Sequence, residues 1–191
     1  MEVKPSTPAP RVVAIADAAI EVLAAEGGRG LTHRAIDRHL ELPLGSTANY
    51  FSTRTALLRA VNLRLLEIEI ALWESIPHQR LSRARAATLL AERIAASVVN
   101  GARHRYIAHH EVLLQSARDQ QLRLEIDHAR QRFVDIVARV LTDVGCKKAK
   151  SHAHDLLAMM EGLLLNQLLY NDGPVDLRKL TSQVRRCLAQ C

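Results

Sequence analysis

Three sets of residues in this chain have types and spacings that could do chemistry. The first is segment 44–50, LGSTANY. Ser46, Thr47 and Asn49 there carry hydroxyl and amide groups able to hydrogen-bond to base edges or phosphates, and side chains this small let a short helix lie close to a base pair. Gly45 permits close backbone approach. The second set is histidine: His104, His109 and His110 lie near Glu111, and His152 and His154 stand before an apolar run. Strong metal binding would want an i, i+4 pair on one helix face, whereas neighbours such as His109 and His110 project about 100° apart. The third is cysteine. Cys187 and Cys191 are spaced i, i+4 and Cys146 stands apart, an odd number that argues against a disulfide framework. A Gly-rich phosphate loop, a GxSxG elbow and a CxxC pair are all missing from the sequence, so enzymatic chemistry has no fixed-spacing support.

The elements that must position segment 44–50 read as short helices. Val12, Ile15, Ala16, Ala19, Ile20 and Leu23 recur at helical spacing, and Gly27–Gly28 stop that helix. Thr32 is placed to cap a second helix with a buried stripe of Leu31, Ala35, Ile36 and Leu40. The break Glu41–Pro43 then leads into the third segment, Leu44 to Tyr50. Three short helices with a tight break between the second and third form a helix-turn-helix, whose last member enters the major groove.

The rest of the chain also reads as helix. Leu57, Leu58, Val61, Leu65, Ile68 and Leu72 make a long stripe ending near Pro77, and further helices are expected over 81–100, 103–116 and 119–143, the last closed by Gly145. Residues 150–171 are apolar nearly all round, which predicts burial on several faces. Residues 175–190 carry Leu177, Leu180, Val184, Cys187 and Leu188 at coiled-coil-like spacing.

Composition agrees: 48% of residues are hydrophobic and 3% aromatic, which favours helices over sheets. The net charge of +6 suits a polyanionic partner. Residues 1–60 hold seven Lys/Arg against six Asp/Glu, so the nucleic-acid argument rests on particular residues rather than bulk charge. The start of the chain lacks an apolar signal core and no stretch is apolar enough to span a membrane, so the expected compartment is a reducing cytoplasm.

Residues 11–61 resemble the N-terminal domain of TetR-family transcriptional regulators through Ala18, Gly27, Leu31, Thr32, Ile36, Gly45, Tyr50, Phe51, Arg54, Leu57 and Leu58. Departures are Glu41 where the family often has Gly, Asp37 where a small Ala is usual, Ala48 where a backbone-touching Tyr is usual, and Arg54 for Lys. The resemblance implies an all-α fold of about nine helices. Residues 1–10 would be a flexible arm, 11–56 a helix-turn-helix domain, and 57–191 a ligand-binding and dimerisation domain. It implies a homodimer that binds a palindromic double-stranded operator and most commonly represses until an unknown small molecule releases it, without cofactor, metal or membrane.

By that resemblance Arg34 reaches a base or phosphate, Gly45, Ser46, Thr47 and Asn49 face the major groove, and Thr32, His33, Tyr50 and Arg54 clamp phosphates. Lys4 and Arg11 are candidates for arm contacts, and Phe51 for the core. The pocket candidates are Trp73, Tyr106, His109, His110, Leu113 and Phe133. The dimer candidates are Leu156, Met159, Met160, Leu163, Leu164, Gln167, Leu180, Val184 and Leu188, with Gly162 allowing close helix approach. The alternative readings are a metal- or redox-responsive regulator of the same fold and an all-helical enzyme.

Overall fold

A computed structural model describes residues 10–74, 81–99, 102–171 and 173–189. The expectations for the arm, Lys4, Pro77 and Cys191 lie outside them. The described residues form α1 (Pro10–Gly30), α2 (His33–His39), a 3-10 turn (Thr47–Asn49), α3 (Arg54–Glu74), α4 (Arg83–Ser97), α5 (Ala102–Ser116), α6 (Gln120–Asp143), α7 (Ala149–Tyr170) and α8 (Leu177–Leu188). The all-α expectation holds, with eight α-helices among the described residues.

The glycine stop after the first helix is real: Gly27 has φ 66° and ψ −174°, breaking the helical path of α1. Gly145 likewise takes φ 84° where α6 ends. Five helices start on side-chain caps, Thr32 accepting from the Ala35 amide, Thr53 from Ala56, Ser82 from Arg85, Asp119 from Leu122 and Asp176 from Lys179. Each satisfies a donor that a helix start leaves free.

The chain divides into two compact units. The first comprises residues up to Ile68 with Ile107–Ile126, the second Glu69–Tyr106 with Asp127–Cys191. The division falls inside α3, α5 and α6.

In the first unit, Ile15, Ala19 and Leu23 of α1 pack with Leu31 and Ile36, with Leu57, Leu58, Val61 and Leu65 of α3, and with Val112, Leu122 and Ile126. Burying each large aliphatic side chain contributes roughly 1.5–3 kcal/mol. Phe51 packs against this core, as expected for it. Arg64 ties α3 to α1 through Asp17, with Nε 2.7 Å from Oδ1.

In the second unit, α4 packs along α8 and against α7. Its buried face is Ala87, Leu90, Ala91 and Ile94, and that of α8 is Leu180, Val184 and Leu188. α7 departs from the expectation of burial on several faces. Ala153, Leu156, Leu157, Met160, Leu164 and Leu168 are buried, yet Ala158, Gly162, Leu165 and Leu169 form an open stripe.

Candidate nucleic-acid interface and effector site

In the first unit, the segment between α2 and α3 is organised around one buried acid. Asp37 is 1% exposed. Its Oδ2 accepts from the Gly45 amide at 2.7 Å, and its Oδ1 from the Thr47 amide at 2.8 Å and the Thr47 hydroxyl at 2.6 Å. Burial alone pushes this carboxyl up. The hydrogen bonds from Thr47 and Gly45 and the charge of His33 outweigh that, and its pKa falls below the ordinary carboxylate value.

α2 closes on a Schellman arrangement: the Glu41 amide donates to Arg38 O and the Leu42 amide to Asp37 O. The residue that must adopt the left-handed conformation there is Glu41, at φ 53°. The next four residues form a turn. Pro43 O accepts both the Ser46 amide at 3.1 Å and the Ser46 hydroxyl at 2.6 Å, and Gly45 takes φ 90° in its third position. That conformation suits a type II turn and favours glycine. Nothing lies within 4 Å of where a Gly45 Cβ would be, so conformation rather than space requires glycine.

Two further ties hold the segment. His33 Nε2 donates to Phe51 O, and Arg54 Nη2 donates to Gly28 O at 2.6 Å. The Gly28 amide in turn donates to Glu111 Oε2 at 3.2 Å. Arg34, Leu44, Gly45, Ala48, Asn49 and Tyr50 remain exposed on this rigid frame.

In the second unit, a polar cluster sits among aromatics. Glu69 and Trp73 are one helical turn apart on α3. Arg93 of α4 places Nη2 3.5 Å from Glu69 Oε2. Tyr106 of α5 hydrogen-bonds with Ser97 and Glu69. Burial, then the negative charge of Glu69, raises the Tyr106 pKa strongly, so the phenol stays protonated. Trp73 meets Phe133 of α6 edge to face, with centroids 5.2 Å apart. The Nε and Nη2 of Arg93 are buried without a hydrogen-bond partner. These two nitrogens form one edge of the guanidinium fork, a geometry suited to bidentate acceptors.

Comparison with known proteins fixes the relationship. The tetracyclin repressor-like C-terminal domain family matches residues 81–190. The chain belongs to the TetR family. Its fold is shared with the multidrug binding protein EbrR, solved with ethidium at 24% identity and a TM-score of 0.69, covering 95% of this chain and 99% of that one. The proflavin complex of EbrR aligns at 27% identity and a TM-score of 0.60, over 93% and 99%. A TetR-family member from Streptomyces coelicolor A3 aligns at 24% identity and a TM-score of 0.76, over 94% and 98%. Curated proteins yield no match.

The residues expected from the TetR resemblance fare differently. In the reading segment a 3-10 turn replaces the expected short helix, because Asp37 draws in the Gly45 and Thr47 amides. Thr47 is corrected: it is fully buried, and its hydroxyl is spent on Asp37 rather than facing outward. Ser46 donates its hydroxyl to Pro43, and Thr32 is committed as a cap. Gly45, Asn49, Tyr50 and Arg34 are exposed. His33 and Arg54 each have a donor engaged by the backbone.

The pocket candidates separate. Trp73, Tyr106 and Phe133 belong to the second unit, whereas His109, His110 and Leu113 belong to the first. There the two histidine rings meet edge to face at 5.6 Å, and Leu113 packs on the first unit's core. Among the described residues no three His, Cys, Asp or Glu side chains gather as a metal site. Cys187 contacts Met159 and Cys146 contacts His152.

The dimer candidates divide by burial within the protomer. Leu156, Met160, Leu164, Leu180, Val184 and Leu188 are buried within one chain, and Met159, Leu163 and Gln167 are half-buried. Within the protomer α4 packs on α7 and α8, so an apolar period on these helices serves the protomer's own core as well as any partner. Sequence reading missed the role of Asp37, whose partners Gly45 and Thr47 lie eight and ten residues ahead, beyond the reach of any local cap signal. It also missed Glu69 and Arg93, which look like ordinary surface charges.

Proposed function

We propose that this chain is a dimeric, sequence-specific DNA-binding regulator, a repressor released from a palindromic operator by a small molecule. The observation that carries the reading is the turn at 43–50, held by Asp37 with Gly45, Asn49 and Tyr50 outward and Arg34 also exposed. A fixed polar edge of this kind can be aligned with base edges while basic residues position it on phosphates. One head reads only a few base pairs, and a two-fold pair multiplies both affinity and selectivity. The stripe Ala158, Gly162, Leu165 and Leu169 supports a partner helix, since small residues let helices approach and Leu165 and Leu169 are 38% and 59% exposed.

The effector site is the cluster of Trp73, Phe133, Glu69, Arg93 and Tyr106. EbrR is described in complex with ethidium and proflavin, planar aromatic cations that suit aromatic faces and a nearby carboxylate. α3 carries Glu69 and Trp73 near its end and Leu57 and Leu58 near its start, so a ligand that favours one setting of α3 shifts the population of reading heads. The protein acts in the cytoplasm and catalyses nothing.

A footprint on the DNA upstream of the chain's own coding region tests this. Protection of a two-fold-symmetric site is expected, with loss of protection on adding ethidium. Absence of protection at low salt defeats the regulator reading.

A further inference from the structure

We infer that Leu44 is a specificity-determining residue that reads the 5-methyl group of a thymine in each half-site. The inference rests on the DNA-binding reading above and adds to it a residue whose chemistry is apolar rather than polar.

Leu44 is 75% exposed, among the most open large hydrophobic side chains in the described residues. A single exposed leucine is ordinary on a protein surface, so exposure alone says nothing. Its setting says more. Leu44 occupies the second position of the turn closed by the Ser46 amide on Pro43 O, so it stands at the apex. The following residue, Gly45, is held at φ 90° and bonded through its amide to buried Asp37. The apex is thus fixed to the core of the head by a charged acceptor that also holds Thr47. Turn apices favour residues that preset the turn or bond their own backbone. Leucine does neither, and at this exposure it gains little from packing.

Its neighbours are those of a reading edge. Ala48 lies four residues on and is exposed, Gly45 offers no side chain at all, and Asn49 and Tyr50 complete the open face. Leu44 and Ala48 thus add two exposed apolar side chains to this segment beside its polar ones. In the major groove the apolar feature that distinguishes one base from the other three is the thymine methyl. A rigid, solvent-facing leucine next to hydrogen-bonding groups is complementary to that methyl and not to any phosphate. The backbone contacts a helix-turn-helix makes are polar, so they would give this side chain nothing to do.

The test uses the full chain and a duplex selected by it from random sequence. Each thymine of the selected site is replaced in turn by deoxyuridine, which removes the methyl and nothing else. For the wild-type protein, one symmetric pair of positions is expected to lose about fourfold in affinity per half-site, the worth of one buried carbon. Leu44→Ala is expected to bind the thymine duplex about as weakly as the wild type binds the uridine one, and to be indifferent to the exchange. Leu44→Gln keeps the length and supplies an amide, so renewed selection should shift the preferred base at that position toward adenine.

Equal sensitivity of wild type and Leu44→Ala at every uridine position overturns the assignment, as does a wild-type protein with no methyl-sensitive position. A chain that selects no duplex overturns the DNA-binding reading itself, and the two failures are told apart by the first binding isotherm.

Discussion

Asp37 in the first unit and Arg93 in the second are buried polar groups with different surroundings. Around Asp37 both carboxylate oxygens are engaged: two backbone amides and a hydroxyl converge on one carboxylate, and the surrounding turn is closed by further backbone bonds. Around Arg93 the guanidinium edge formed by Nε and Nη2 makes no hydrogen bond although it is buried, and Glu69 meets it as an ion pair at 3.5 Å. A saturated network rigidifies, whereas an incompletely satisfied one leaves donor capacity for something else. On the proposed function, the first site needs its atoms fixed against a rigid duplex, and the second needs a place where an incoming molecule changes the balance.

That contrast can be broken most forcefully at Asp37. Asp37→Ala removes the acceptor for three donors. A loss of about 2–3 kcal/mol in the head is expected, with duplex binding reduced more than a hundredfold and the helical signal of the body retained, read by circular dichroism and gel shift. The acid dependence follows from the same group. Its folded pKa lies below the unfolded value, so its stabilisation is complete above pH about 4 and is lost as pH falls through the folded value. Asp37→Asn should flatten that acid limb. An unchanged acid limb would remove Asp37 from the organising role.

A second expectation concerns the open stripe of α7. Leu169→Arg places a charge where a partner helix is proposed, and should convert a dimer to a monomer in sedimentation while leaving the protomer's melting temperature within about 2 °C, since the site is exposed. A dimer that survives would move the interface elsewhere.

Tyr106→Phe sharpens the other half of the contrast. Removing the hydroxyl leaves Glu69 and Ser97 without one partner, and a cost of about 1 kcal/mol to the body is expected. Operator affinity without ligand should be unchanged, and the concentration of ethidium needed for release should shift several-fold. A change in operator affinity alone would place Tyr106 in the reading function instead.

The smallest effect is expected from Glu41→Gly. The left-handed backbone at Glu41 costs a side chain about 1–2 kcal/mol, part of which glycine returns as chain entropy. A gain of about 0.5 kcal/mol is expected on thermal unfolding. Duplex affinity should rise modestly and most at low salt, because a negative charge leaves the head.

The fold was legible where helical period and stop signals coincide. Gly27, Gly145 and the cap Thr32 act as their residue types predict, because those signals are local. The departures from the TetR pattern were also visible at Glu41 and Asp37, but their meaning was not. That Glu41 sits in the left-handed position of a Schellman closure, and that Asp37 reaches eight and ten residues ahead to Gly45 and Thr47, depends on where the turn brings the chain. Thr47 shows the cost of reading polarity alone: a small hydroxyl residue in a reading segment is as suited to bracing it from behind as to facing outward.

Sequence by itself determined the long helical segments and that α7 carries more apolar surface than one face requires. Tertiary structure decided which of those apolar positions are spent inside the protomer, as Leu164 is, and which stay open, as Leu165 and Leu169 do. The physical reason is that a helical period marks an apolar face without naming its partner. Partners are chosen by packing among segments far apart in the chain, which brought Glu69, Arg93 and Tyr106 into one cluster and left Leu44 at a fixed, exposed apex.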